Sequence, residues 1–281
     1  MNSSSIEGRD LFDRLVSPGA CLLVIFAALW FGLTSTAQAV SPGPDGGYPN
    51  NNTAEGNGAL FSLTSGENNT AIGTDALFNN TTGNANTATG EAALRDNTTG
   101  GHNTATGFAA LNGNTTGNNN TASGFDALLG NTTGAGNMAN GFDALFSNTT
   151  GHENTAAGAF ALLSNTTGFQ STAIGDSALS SNTTGFENTA TGFHALFSNS
   201  TGHENTATGF QALLSNATGD GNTAVGNRAL RANINGLGNT ATGAGALQAN
   251  TVVAATRPVA LVRLLATQLV CSIRPPVIKR S

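Results

Sequence analysis

The chain has 281 residues, of which 37 are glycine and only 9% are charged, with a formal net charge of −6. Ordinary globular domains carry about 25% charged residues and a richer set of large aliphatics, so a thick hydrophobic core is excluded. Disorder or a repeat architecture that buries little per unit remains.

The first element is a targeting segment. The apolar run "GACLLVIFAALWFGL" (19–33) is followed by "TSTAQA" (34–39), in which Ala37 and Ala39 form an A-x-A cleavage signal. We therefore expect a signal peptide over 1–39 and no transmembrane segment in the mature chain. Arg9 and Arg14 precede the run but are offset by Glu7, Asp10 and Asp13. The other reading is an uncleaved anchor, for which the run is short. Cys21 lies at the start of the apolar run instead of after it and so is no lipid-attachment cysteine, and the only other cysteine is Cys271. An exported chain without a disulfide framework needs another source of stability. The stretch 40–51, with "SPGPDGG" at 41–47, reads as a linker.

From residue 52 to residue 251 the chain repeats itself. The phrase N-T-T-G starts at Asn80, Asn97, Asn114, Asn131, Asn148, Asn165 and Asn182, and varies to NSTG at Asn199, NATG at Asn216 and NING at Asn233. The spacing is 17 throughout, which gives 11 full units over 63–249, preceded by a half unit. The unit reads N-T-T-G-x-x-N-T-A-T-G-x-x-A-L-x-x. Alanine fills unit positions 9 and 14, leucine position 15, and glycine positions 4 and 11 in every copy. A fixed short period signals a stacked repeat. Seventeen residues are too few for a helix–turn–helix unit but suit one coil of a parallel β-solenoid, so an all-β fold is expected. Coils stacked at about 4.8 Å would give a rod of roughly 50 Å.

In such a rod, like side chains form columns. The asparagines at positions 1 and 7 are expected to build amide ladders. The leucine and alanines would form a thin interior, and the two glycines would serve corners that need positive φ or close backbone approach. "xxNTAT" and "xxALxx" read as two extended pieces. The alternative is a short helical turn in each coil, since Ala-Leu suits a helix. Position 12 is phenylalanine in Phe108, Phe125, Phe142, Phe193 and Phe210, and position 16 is often Phe or Leu. An exposed stripe of rings marks an interface. These five residues are thus the candidate contact for self-association, as in a homotrimer, unless one Phe row folds inside.

The last 30 residues abandon the period. Asn250 and Thr251 are on schedule, and "VVAATRPVALVRLLATQLVCSIRPPVIKRS" follows. With one nucleotide dropped near codon 251, that tail is compatible in another frame with N-T-S-G-G-R-N-T-A-S-G-P-R-A-L-A-S and a second unit. We expect 252–281 to be a frameshifted reading of further repeats. Its five basic residues are then no nucleic-acid patch. Residues 40–251 hold 13 acidic and 3 basic side chains, which argues against nucleic-acid binding.

The phrases "NNTAIGTDAL" (68–77), "STAIGDSAL" (171–179) and "NTAVGNRAL" (222–230) resemble the head repeats of YadA-like trimeric autotransporter adhesins. The resemblance covers 52–249 and implies a left-handed parallel β-roll, a trimer, and binding to an extracellular surface or matrix ligand. That family's coil is shorter, and "NTT" enlarges one corner here. The phrases are also similar to repeats of tail-fibre-like proteins that end in a self-cleaving chaperone domain. The expected location is secreted or cell-surface, and outer-membrane-associated if the lost frame carries an anchor.

No catalytic, cofactor or metal motif is found. His152 and His203 share the context "GHENTA" three units apart, about 14 Å along a solenoid and too far to share a metal. They read as solvated loop residues, and His102 and His194 likewise. Asp75, Asp126 and Asp143 lack a calcium-type GGxGxD frame. The N-T-T sequons read as turn and ladder residues. A rival function comes from positions 8 and 10, which often give T-x-T, as in Thr87 and Thr89. Alternate strand residues share a face, and stacked T-x-T resembles the ice-binding face of some antifreeze proteins. Met138 interrupts position 8, and Ile72, Asn140, Ala157 and Ile174 interrupt position 10.

Overall fold

A computed structural model describes residues 48–251. The expected signal peptide, most of the expected linker and the out-of-period tail lie outside the described residues. The described part is all-β: twelve strands of three residues each, paired in parallel in chain order as a single sheet. β1 is Thr53–Glu55, β2 is Thr70–Ile72, and the strands continue at the same spacing through β6 (Met138–Asn140) to β12 (Thr240–Thr242). Each residue pairs with the one 17 ahead, as Thr87 with Thr104 and Ala88 with Ala105. The chain is therefore a parallel β-solenoid with one unit per coil.

The strand is short because only positions 8–10 alternate out, in, out. Thr87 and Thr89 face solvent while Ala88 between them is fully buried. The interior of each coil consists of the two alanines, the leucine and the two asparagines. Leu77, Leu94 and their counterparts through Leu230 sit in successive layers with no exposed surface. So much polar interior is tolerable only where its amide atoms are paired, and both ladders pair them coil after coil except at Ser171 and at the step from Asn233 to Asn250. At position 7, Asn86 Nδ2 donates to Asn69 Oδ1 at 3.1 Å and to the Gly100 carbonyl at 2.9 Å. The Asn86 backbone N–H also donates to Asn69 Oδ1, at 3.0 Å. At position 1, Asn97 Nδ2 donates to Asn80 Oδ1 at 2.8 Å and to the Gly100 carbonyl at 2.9 Å.

The A-L segment differs from both expectations, being neither extended nor helical. It is a chain of tight turns: Ala76 N–H donates to the Gly73 carbonyl, Phe78 N–H to Asp75 and Asn80 N–H to Leu77. Intervening donors reach the next coil, as Leu77 N–H does to the Ala93 carbonyl at 3.0 Å. Position 13 (Asp75, φ 55°) and position 15 (Leu77, φ 52°) are left-handed, and the pattern recurs in coil after coil. Such turns need positive φ at their third residue, ordinarily glycine or asparagine. A leucine there costs about 1–2 kcal/mol, and it persists because it is the one large apolar side chain each layer buries. A helix would need donors aimed four residues back, and the register of the coil leaves none.

The two glycines play different parts. At position 11, φ is near +130° and an added Cβ would strike the next coil's glycine carbonyl, as for Gly73 against Gly90. At position 4, φ is not positive, and close approach alone forbids a side chain, because a Cβ on Gly100 would meet both Asn97 Oδ1 and the Gly117 carbonyl. At the N-terminal end, Pro49–Asn51 form a 3₁₀ turn. Tyr48 packs against the core there, and the Pro49 carbonyl accepts from Asn52 Nδ2 at 2.7 Å.

Candidate binding faces of the solenoid

The strand face is the most regular outer surface. Position 8 is threonine in every strand except β6, where it is Met138, and these side chains are exposed or half-buried. Position 10 alternates hydroxyls with apolar side chains, because Ile72, Ile174 and Val225 project from the same face as Thr89 and Thr208. The T-x-T array exists as a two-column outward face, and the interruptions noted in the sequence fall on it. A second hydroxyl column went unnoticed in the sequence. Position 3, from Thr82 through Thr218, is an unbroken run of exposed threonines at the wide corner. Its neighbours at position 2 turn inward, and Thr98 Oγ1 donates to the Thr115 carbonyl at 2.9 Å.

The five candidate phenylalanines lie on the outside. Phe108, Phe125, Phe142, Phe193 and Phe210 are 39–46% exposed, so that row does not fold into the core. The position 16 side chains Phe78, Phe146 and Phe197 are half-buried and are also outside the interior column. The position 12 column comes in two pieces. Phe108 and Phe125 stack at 5.0 Å, and Phe125 and Phe142 at 5.4 Å. Ala159 and Asp176 then break the row before Phe193 and Phe210 resume it at 5.4 Å. The Arg228 guanidinium caps the far end, 5.9 Å from the centre of the Phe210 ring.

Position 5 holds another aromatic column. His152, Phe169, Phe186 and His203 stack with centroid spacings of 5.0, 4.9 and 4.6 Å and nearly parallel planes. The two histidines read as solvated loop residues are thus the ends of one ring stack. His203 Nδ1 also lies 2.9 Å from Asp220 Oδ1. The third histidine drawn into a ring cluster is His194, which packs on Phe193 and Phe197.

Among titratable groups, Asp126 and Asp143 occupy position 13 of adjacent coils beside the Phe column. Burial raises the Asp126 carboxyl above its ordinary range, and the Asp143 charge adds to the shift. Asp143 is raised by burial alone. No group of three or more His, Cys, Asp or Glu suited to a metal ion occurs among the described residues. No helix among them is long and apolar enough to cross a membrane. The outer surface is thus built of repeated hydroxyl and ring columns around a hydrogen-bonded interior.

Comparison with family models, with curated proteins and with solved structures gave no match. The functional argument therefore rests on the columns themselves.

Proposed function

We propose that this chain is an exported, non-enzymatic structural or adhesive fibre of the cell surface that meets other surfaces through its repeated outer columns. The observation that supports this reading is the unbroken register of twelve strands, which repeats any outward side chain at about 4.8 Å along the axis. Weak contacts repeated on such an array act as a multivalent set. The resemblance to YadA-like head repeats, with their trimeric assembly and matrix binding, points the same way. The stacked Phe108–Phe142 and Phe193–Phe210 rows are the surface we assign to lateral association of copies.

The test is to coat beads with the full chain and with a variant lacking three central coils, residues 114–164, and to measure retention on extracellular matrix and on cells. Retention that falls in proportion to the coils removed supports a distributed array. Complete loss would place adhesion in one local site, and no retention of either form removes adhesion.

The outward T-x-T face favours a second reading, ice binding. Paired hydroxyl columns on a rigid sheet suit an ordered layer of water, although Met138 and Ile174 project through it. An ice-recrystallisation assay on the full chain separates the two, because an adhesive fibre leaves crystal growth unchanged.

A further inference from the structure

The two ends of the solenoid are not equivalent. At the first coil, Asn52 finds its donor and acceptor partners in Pro49, Gly66 and Asn69. At the other end the position 1 ladder is incomplete. From Asn97 to Asn233, each Nδ2 donates to Oδ1 of the asparagine one coil earlier at 2.7–2.9 Å. The next rung would join Asn250 Nδ2 to Asn233 Oδ1. Both atoms are buried and neither has a hydrogen-bond partner. Ten leucines from Leu77 to Leu230 are fully covered, whereas Leu247 in the last layer is only half-buried.

Position 4 sets what a complete rung requires. In each regular coil, the position 1 amide is held by the carbonyl of a glycine three residues on, as Asn233 is by Gly236. A Cβ at that glycine would lie well inside 3.0 Å of the asparagine Oδ1 and of the following coil. The residue in that register after Asn250 is Val253. A complete rung at Asn250 therefore calls for glycine as the fourth residue of the coil that follows.

We infer that the layer formed by β12 and Asn233–Asn250 is an acceptor face for one more coil of this repeat, joined in tandem and carrying glycine as its fourth residue. The occupant follows from continuity, since the same coil-on-coil interface is made eleven times below it. Leaving buried amide atoms unpaired is destabilising, and a glycine-bearing coil pairs both. The inference does not depend on what the outer columns bind.

The experiment inserts a copy of residues 99–130 directly after Thr251 in the full-length chain, which completes the unit begun at Asn250 and adds another. Native-state amide exchange is followed at Leu230, Thr240–Thr242 and Leu247. We expect at least tenfold slower exchange at these sites and a higher Tm than the parent. The same insert carrying Gly100→Val is expected to give neither. A second variant, Val253→Gly in the full chain, should slow exchange of the Asn250 side-chain amide without added residues. Three results overturn the inference: unchanged exchange in both, equal slowing by the valine-bearing insert, or parent exchange at Leu247 already as slow as at Leu145. Concentration-dependent end-to-end assembly of the parent that protects Thr240–Thr242 would assign the face to a second copy and overturn the tandem assignment.

Discussion

Among the described residues Ser171 is the one break in the position 7 ladder, and replacing it by asparagine should stabilise the protein. In a regular coil such as that of Asn137, Nδ2 donates to Asn120 Oδ1 at 3.1 Å and to the Gly151 carbonyl at 2.8 Å, and Oδ1 receives both amide donors of Asn154. Ser171 keeps the backbone bond to Asn154 Oδ1 at 3.0 Å and accepts the Asn188 N–H at 3.2 Å. Its hydroxyl also donates to the Phe169 carbonyl, at 3.3 Å. Three rungs are missing: one to Asn154 Oδ1, one to the Gly185 carbonyl and one from Asn188 Nδ2. Each buried bond is worth about 0.5–1.5 kcal/mol net, and ordering the longer side chain costs about 1 kcal/mol. Ser171→Asn is therefore expected to gain about 1–3 kcal/mol. Urea denaturation should show a higher midpoint at unchanged slope, and Asn120→Ser should lower the midpoint by a similar amount. Because coils interact only with neighbours, amide exchange should slow most around Asn154, Ser171 and Asn188. An unchanged or lower midpoint for Ser171→Asn would refute the claim that the amide rungs hold the layers together.

The remaining predictions concern backbone, charge and surface. Gly141→Ala, at φ 140° with the new Cβ 2.5 Å from the Gly158 carbonyl, should cost about 3 kcal/mol or more. Gly136→Ala, also at positive φ but with nothing nearer than 3.5 Å, should cost only the left-handed backbone, about 1–2 kcal/mol, and thermal melts of the pair test whether close approach adds to φ. The raised Asp126 and Asp143 carboxyls mean that the folded chain binds more protons than the unfolded one above the ordinary value of 3.8, so their contribution to stability falls as pH rises through that window. Asp126→Asn with Asp143→Asn should thus match the parent melting temperature below that value and exceed it at neutral pH; a constant gap would contradict the assignment. Phe125→Ser with Phe142→Ser should lower the sedimentation-equilibrium mass of any oligomer while leaving the far-UV spectrum unchanged, and an unaltered mass removes that face as the contact.

The period and the interior were legible because identical layers impose identical environments. Ala71, Leu77, Asn80 and Asn86 recur every 17 residues, and those are the buried columns. The A-L segment was not legible. Turn rules reserve positive φ for glycine and asparagine, whereas Leu77 and its ten later counterparts adopt it here, overridden by the need to bury one large side chain per coil. The candidate Phe column was visible as a row, but its stacking in two pieces depends on Ala159 and Asp176. The His152–Phe169–Phe186–His203 stack was missed because position 5 varies freely elsewhere, as Glu67, Asn84 and Gly101 show. The only signal was aromatic or imidazole side chains at one position in four successive units.

The buried amide ladders have a consequence for how a gene of this kind changes length. Apart from the layer that holds Ser171, each interior asparagine recognises another asparagine, so the junctions between described layers are chemically alike. Duplication or loss of 51 nucleotides, one whole unit, leaves each remaining junction intact and alters only reach. Gain or loss of a single codon shifts alanine, leucine and both amides out of line in one layer. Recombination between misaligned copies therefore preserves the contacts between layers, while a small insertion inside a unit breaks them.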